Sequence, residues 1–109
     1  MDATLYMDPG SEKEYTFDFS PVLPSTDSTV KAIAAGDSTI TAFNFAGTDV
    51  SSTILLNKTA SGKTLKVTIT ALTLGQEYRI RFTAEGTTSA QKFTKWLQVL
   101  CRNEGESEI

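Results

Sequence analysis

The chain has no histidine, a single cysteine and only three prolines in 109 residues, and these scarcities remove whole classes of protein. Without histidine there is no imidazole to act as general base, nucleophile activator or metal ligand, so histidine-dependent catalytic triads are excluded. One cysteine, Cys101, cannot close an internal disulfide, and the fold must be held by burial. Cys101 itself reads as a small buried apolar residue near the end of the last strand. No apolar run is long enough to span a bilayer. The opening Met1-Asp2-Ala3-Thr4 is acidic with no apolar stretch behind it, so no secretion signal is expected. A formal net charge of −3 and a pI near 4.8, with no cluster of Lys and Arg, leave no basic footprint for nucleic acid.

What is present points to sheets. Serine and threonine make up about a quarter of the residues and often alternate with apolar ones, which suits strand surfaces better than helices. The length fits one domain with a core of its own, over residues 1–102, followed by an acidic tail at 103–109.

The first strand is expected over residues 4–7, closed by Asp8-Pro9-Gly10. Glu14-Tyr15-Thr16-Phe17-Asp18-Phe19-Ser20 then places Tyr15, Phe17 and Phe19 on one face as core residues. Pro21 and Pro24 end that strand and a polar loop follows. Residues 38–45 read as a strand, 52–57 as a short apolar one, and 58–63 as a hairpin loop. Leu65, Val67, Ile69 and Ala71 alternate with Lys66, Thr68 and Thr70 in the next strand.

Leu72-Thr73-Leu74-Gly75-Gln76-Glu77-Tyr78 reads as a turn leading into a strand whose inward residues are Tyr78, Ile80, Phe82 and Ala84. In immunoglobulin-like sandwiches a tyrosine so placed bonds backbone a few residues upstream while its ring enters the core, the tyrosine corner. The expected fold is therefore all-β: a single immunoglobulin-like or fibronectin-III-like sandwich of about seven to eight strands.

The last strand, over residues 90–102, carries a conflict. If Phe93, Leu97, Val99 and Cys101 face inward, Lys95 does too, while Trp96 and Leu100 point out. Either a β-bulge near Lys95 shifts the alternation, or Trp96 and Leu100 are exposed and covered by a partner. The tail carries Glu104, Glu106 and Glu108 and is able to order against a basic neighbour.

No catalytic, cofactor or metal set emerges. The 13 Asp and Glu residues sit mostly in loops, at strand ends or on outward positions, where solvation accounts for them. Asp27, Asp37 and Asp49 lack the spacing of a calcium loop and read as loop-capping residues. Gly36, Gly47, Gly62, Gly75 and Gly86 each stand alone in a turn, unlike a phosphate-binding loop. An exposed Trp96 able to stack on a sugar ring keeps a carbohydrate-binding module open.

The order of Glu14-Tyr15-Thr16-Phe17-Asp18-Phe19-Ser20-Pro21-Val22-Leu23, Asp27-Ser28-Thr29-Val30, Gly75-Gln76-Glu77-Tyr78-Arg79-Ile80 and Thr87-Thr88-Ser89 resembles the fiber-tail adaptor proteins of tailed bacteriophages, from about residue 8 to residue 100. The resemblance implies a non-enzymatic structural protein of the virion, assembled in the bacterial host cytoplasm between tail or neck and fibers. Its implied partners are other virion proteins, in a ring or repeated copies, with no nucleic acid, membrane or cofactor. A capsid decoration protein and a carbohydrate- or surface-binding module are the alternatives. The candidate interface is the last strand with Trp96 and Leu100, together with Glu104, Glu106 and Glu108.

Overall fold

The two alternating patterns around Tyr15 and Tyr78 close on one another. In the computed structural model, which describes residues 3–33 and 36–102, the elements run β1 (Ala3–Met7), β2 (Lys13–Asp18), β3 (Thr39–Asn44), α1 (Ser51–Ile54), β4 (Leu55–Ser61), β5 (Thr64–Ile69), β6 (Glu77–Glu85) and β7 (Lys92–Cys101). One sheet has the order β1-β7-β6-β3 and the other β2-β5-β4. All neighbours are antiparallel except β1 and β7, which pair in parallel from Ala3 opposite Leu97 to Met7 opposite Cys101. The orders β2-β5-β4 and β3-β6-β7 are those of strands B-E-D and C-F-G in an immunoglobulin sandwich.

The period of two drives this arrangement. Leu65, Val67 and Ile69 of β5 face Tyr78, Ile80, Phe82 and Ala84 of β6 and Leu97, Val99 and Cys101 of β7 across a continuous core. Burying each large apolar side chain is worth about 1.5–3 kcal/mol. Phe17 on one sheet and Phe82 on the other meet edge-to-face, 4.8 Å between ring centroids, and Tyr15 leans on Phe17 at 5.2 Å. Phe19 is fully buried just past β2, whereas Tyr15 is half-buried.

The tyrosine corner is made: the Thr73 N–H donates to the Tyr78 hydroxyl at 3.0 Å, five residues upstream, while the ring is buried. The corner loop is also tied to the end of β7, since the Gly75 N–H donates to the Cys101 carbonyl at 2.8 Å and the Cys101 N–H to the Gln76 carbonyl at 3.1 Å.

Several elements differ from their sequence expectation. Residues 52–57 are not one strand: Ser51–Ile54 form a helical turn and β4 begins at Leu55. β4 then continues through residues 58–61, which read as loop because an edge strand is polar by necessity. The hairpin loop shrinks to Gly62 and Lys63, with positive φ at Gly62 alone, the pattern of a turn with glycine first. Ala71 does not extend the inward row of β5; it is exposed with φ of 56° and Leu72 takes the buried position. Phe45 falls in the turn after β3 and is 70% exposed.

The β-bulge near Lys95 is absent. β6 and β7 pair without a register shift from Glu77 opposite Leu100 to Glu85 opposite Lys92. Lys95 does point to the inner side, and its stem runs toward the gap between the sheets, with Nζ 5.9 Å from the Phe17 ring centroid. A long aliphatic stem with a wet ammonium tolerates that position, so no backbone irregularity is needed. Nor is the second half of the last strand an edge: over Leu97–Cys101 β1 covers it on one side and β6 on the other. Over that stretch it offers a partner a face and not an edge.

Candidate functional site

Strand parity and register assign side chains to the two outer surfaces, and the surfaces differ. On the three-stranded sheet, Glu14, Thr16 and Asp18 of β2 lie beside Thr68, Lys66 and Thr64 of β5, with Leu56 of β4 the large apolar residue among them. That is an ordinary solvated surface, with one exposed Lys66–Glu14 pair at 3.7 Å.

The outer face of the four-stranded sheet carries aromatics and arginines instead. Trp96 of β7 stands opposite Arg81 of β6, and Arg79 is flanked by Phe43 of β3 and Gln98 of β7. The Arg81 guanidinium carbon lies 5.3 Å from the Phe43 ring centroid and 5.9 Å from that of Trp96, and the two rings are 6.1 Å apart. The planar, weakly hydrated guanidinium suits this stacked position. Toward β1, Tyr6 pairs with Leu100 and Arg102 lies over the Tyr6 ring at 5.6 Å. Thr4 and Gln98 bridge at 3.4 Å, and Gln98 donates to Glu77 at 2.8 Å.

Trp96 and Leu100 thus lie on one outward face, each half-buried. Glu104, Glu106 and Glu108 lie outside the described residues. Tyr6, Phe43, Arg79, Arg81 and Arg102 were not picked out from the sequence. The alternation of β6 already placed Arg79 and Arg81 outward, but their contact with Trp96 and Phe43 required the register of three strands.

Between Phe43, Phe45, Gly47, Arg79 and Trp96 lies a shallow depression of about 220 Å³. It is smaller than the roughly 300–1,000 Å³ typical of small-molecule pockets. A surface of this shape suits docking better than enclosure.

A second polar assembly organises one pole of the sandwich. Asp27, fully buried, accepts the Thr88 N–H at 2.7 Å, the Ser89 N–H at 2.9 Å and the Ser89 hydroxyl at 2.6 Å. Its carboxyl is held below the ordinary aspartate value by the Ser89 hydroxyl and N–H, with help from the Thr88 N–H and against the effect of burial. Gly86 is buried beneath it, where a Cβ would stand 2.3 Å from Asp27 Oδ2. Beside this latch Glu85 pairs with Lys31 at 2.5 Å and Lys92 at 3.8 Å, and its N–H donates to Ser38 Oγ. The Lys31 partner lowers the Glu85 pKa and Glu85 raises that of Lys31. The connection between β2 and β3 is thereby locked to the β6–β7 hairpin, with a further tie from the Lys31 N–H to the Glu85 carbonyl, and the Val30 N–H donates to the Gly62 carbonyl in the β4–β5 turn.

Asp49 turns the chain into the helical turn by accepting the Ser51 hydroxyl at 2.6 Å and N–H at 2.9 Å, which hold its carboxyl low. Asp27 and Asp49 therefore serve loop geometry. Among the described residues no three His, Cys, Asp or Glu side chains gather as a metal site. Cys101 is buried, and burial, then Asp8, pushes its thiol pKa up. No helix among the described residues is long and apolar enough to cross a membrane.

Comparison with protein-family models and with curated proteins yields no match.

Proposed function

We propose that this protein is a non-enzymatic assembly module that docks through the outer face of its four-stranded sheet, and that it serves in a tailed-bacteriophage virion as an adaptor between tail or neck and fibers. The observation that carries the docking reading is the Phe43–Arg81–Trp96 stack on a face flanked by Arg79, Leu100 and Tyr6. Tryptophan, tyrosine and arginine are the residues that most often dominate binding energy at protein interfaces. A half-buried stack of this kind costs little further ordering when a partner covers it. The virion setting is supported by the resemblance of Tyr15 to Leu23 and of the Gly75–Tyr78 corner to the fiber-tail adaptors.

Incorporation into particles tests both parts. Trp96→Ser and Arg81→Ser chains should stay folded in solution and fail to enter particles. The unmodified chain should be counted at tens of copies or fewer, as set by the symmetry of a tail or neck, roughly an order of magnitude below a decoration protein. Absence of the unmodified chain from particles refutes the virion role, and undiminished entry of both variants refutes this face as the docking surface. The aromatic depression beside Trp96 favours a carbohydrate-binding module as the second reading. Binding to a glycan panel, lost in Trp96→Ser, is the result that selects it.

A further inference from the structure

We propose that the outer edge of β2 is a docking site for an extended segment of another protein, one that carries basic residues opposite Glu14 and Asp18 and joins the three-stranded sheet as a fourth strand. The site does not depend on the aromatic–arginine face, and either reading can fail alone.

Hydrogen-bond parity defines what this edge offers. β2 and β5 pair without a register shift from Lys13 opposite Ile69 to Asp18 opposite Thr64, and the Phe19 N–H continues the ladder by donating to the Lys63 carbonyl at 2.8 Å. Bonded and non-bonded pairs alternate along an antiparallel ladder, so Lys13, Tyr15 and Phe17 direct their backbone groups to β5. Glu14, Thr16 and Asp18 turn theirs to the opposite side, where among the described residues no strand or loop pairs with them.

The other edges are closed or differently charged. β4 is interrupted by the register shift between Leu56 and Thr59, with Asn57 at φ of 55°, an irregularity that turns an edge away from pairing. On β3 the Ala42 carbonyl accepts the Val50 N–H and the Ala42 N–H reaches the Ser51 hydroxyl, while Asn44 is bonded to Gly47 and Thr48. β1 is short and seals β7 over Leu97–Cys101. The start of β7 carries Lys92 and Lys95, which repel a basic segment.

Charge identifies the occupant. Glu14 and Asp18 are exposed on the outward face of the β2 edge, with Thr16 between them. The Glu14–Lys66 pair at 3.7 Å is exposed and weak. The Ser20 hydroxyl and N–H hold the Asp18 carboxyl below its ordinary value and so keep it charged. An added strand places side chains directly opposite these residues, about 5.5 Å away, where opposite charges attract and like charges repel. A second copy is the poorer occupant, because the antiparallel register that uses all three outward residues sets Glu14 against Asp18 twice. On the inner side Tyr15 is only half-buried, and apolar residues at the intervening positions of the segment would cover it and Phe17. Lys95 Nζ, 5.9 Å from the Phe17 ring centroid, disfavours a further cation there.

Amide hydrogen exchange of the isotope-labelled full-length chain tests this, alone and with up to about 1 mM of the synthetic peptide Thr-Val-Lys-Val-Thr-Val-Lys-Val-Thr. In the free chain the Tyr15 and Phe17 amides should be protected and those of Glu14, Thr16 and Asp18 should exchange fast. The peptide should protect these three. Its counterpart with glutamate at both lysine positions should bind about tenfold more weakly or worse, since two attractive pairs become two repulsive ones. Methylating the backbone nitrogen of the central threonine, which faces Thr16, should abolish the protection. Glu14→Lys/Asp18→Lys should reverse the preference between the two peptides, with circular dichroism verifying its fold. The peptide arms use the unmodified chain and decide the matter even where that variant fails to fold. Protection of Glu14, Thr16 and Asp18 in the free chain at about 10 μM means that the edge is already covered and overturns the proposal. Protection that appears as the free chain is concentrated marks a second copy as the occupant and overturns it too. So do equal affinities of the two peptides, binding of the methylated peptide, and absence of binding at about 1 mM. Arg81→Ser should bind the peptide unchanged; loss of binding there places the peptide on the aromatic–arginine face and refutes the β2 edge as its site.

Discussion

Gly86→Ala probes the Asp27 latch where it is tightest. The new methyl would stand 2.3 Å from Asp27 Oδ2, 2.6 Å from Cγ and 3.0 Å from Oδ1. The carboxylate cannot yield cheaply, because three hydrogen bonds of 2.6–2.9 Å hold it to Thr88 and Ser89. Either the hairpin shifts as a unit or the latch opens, and overpacking of this kind costs about 1–3 kcal/mol. With an unfolding entropy of about 2.1 cal/mol/K per residue, 2 kcal/mol in a chain of 109 residues lowers Tm by about 9 °C. Backbone strain adds nothing, since Gly86 lies outside the left-handed region where Gly75 sits at φ of 81°. The cost should therefore vanish once the carboxylate is removed. In an Asp27→Ala background, Gly86→Ala should be neutral or stabilising by about 0.4–1 kcal/mol, the usual gain from restricting a glycine in the unfolded chain. Thermal and urea unfolding of the four chains of this double-mutant cycle measure the coupling. Equal effects of Gly86→Ala in both backgrounds, to within about 0.5 kcal/mol, would show that the steric account of Gly86 is wrong.

Tyr78→Phe keeps the buried ring and removes only the hydroxyl that accepts the Thr73 N–H. Because Thr73 is exposed, water can take over that N–H, and the loss should be about 1 kcal/mol, or about 4 °C in Tm. A loss above about 3 kcal/mol would mean that the ring packing had changed as well. Acid should unfold the protein through the same polar pole. Asp27 and Glu85 have folded pKa values below their ordinary 3.8 and 4.5, so their stabilisation is present above those values and is lost as pH falls through the lower folded ones. Urea midpoints should fall steadily below about pH 4, and less steeply in Asp27→Asn. An unchanged slope in that variant counts against Asp27 as a contributor.

The sequence alone determined the sandwich, because periodicity is local. Alternation at Tyr15-Phe17-Phe19, Leu65-Val67-Ile69 and Tyr78-Ile80-Phe82 states which side of each strand is buried, and the Gly75–Tyr78 spacing states where a corner forms. Local pattern also misled where polarity had two meanings. Residues 58–61 look like a loop and form an edge strand, and Lys95 looks misplaced yet lies over Phe17. What tertiary structure decided was every relation set by register between distant strands. Only the pairing of β3, β6 and β7 brings Phe43, Arg81 and Trp96 together, and only the packing of residues 27–31 against the last hairpin carries Asp27 to Gly86 and Ser89, about sixty positions away. The parallel addition of β1 likewise made the Leu97–Cys101 half of the last strand interior. The physical reason is the same in each case: burial imprints a repeating pattern on one strand, whereas a shared face or a latch needs two or three strands aligned to the residue, and no single segment records that alignment.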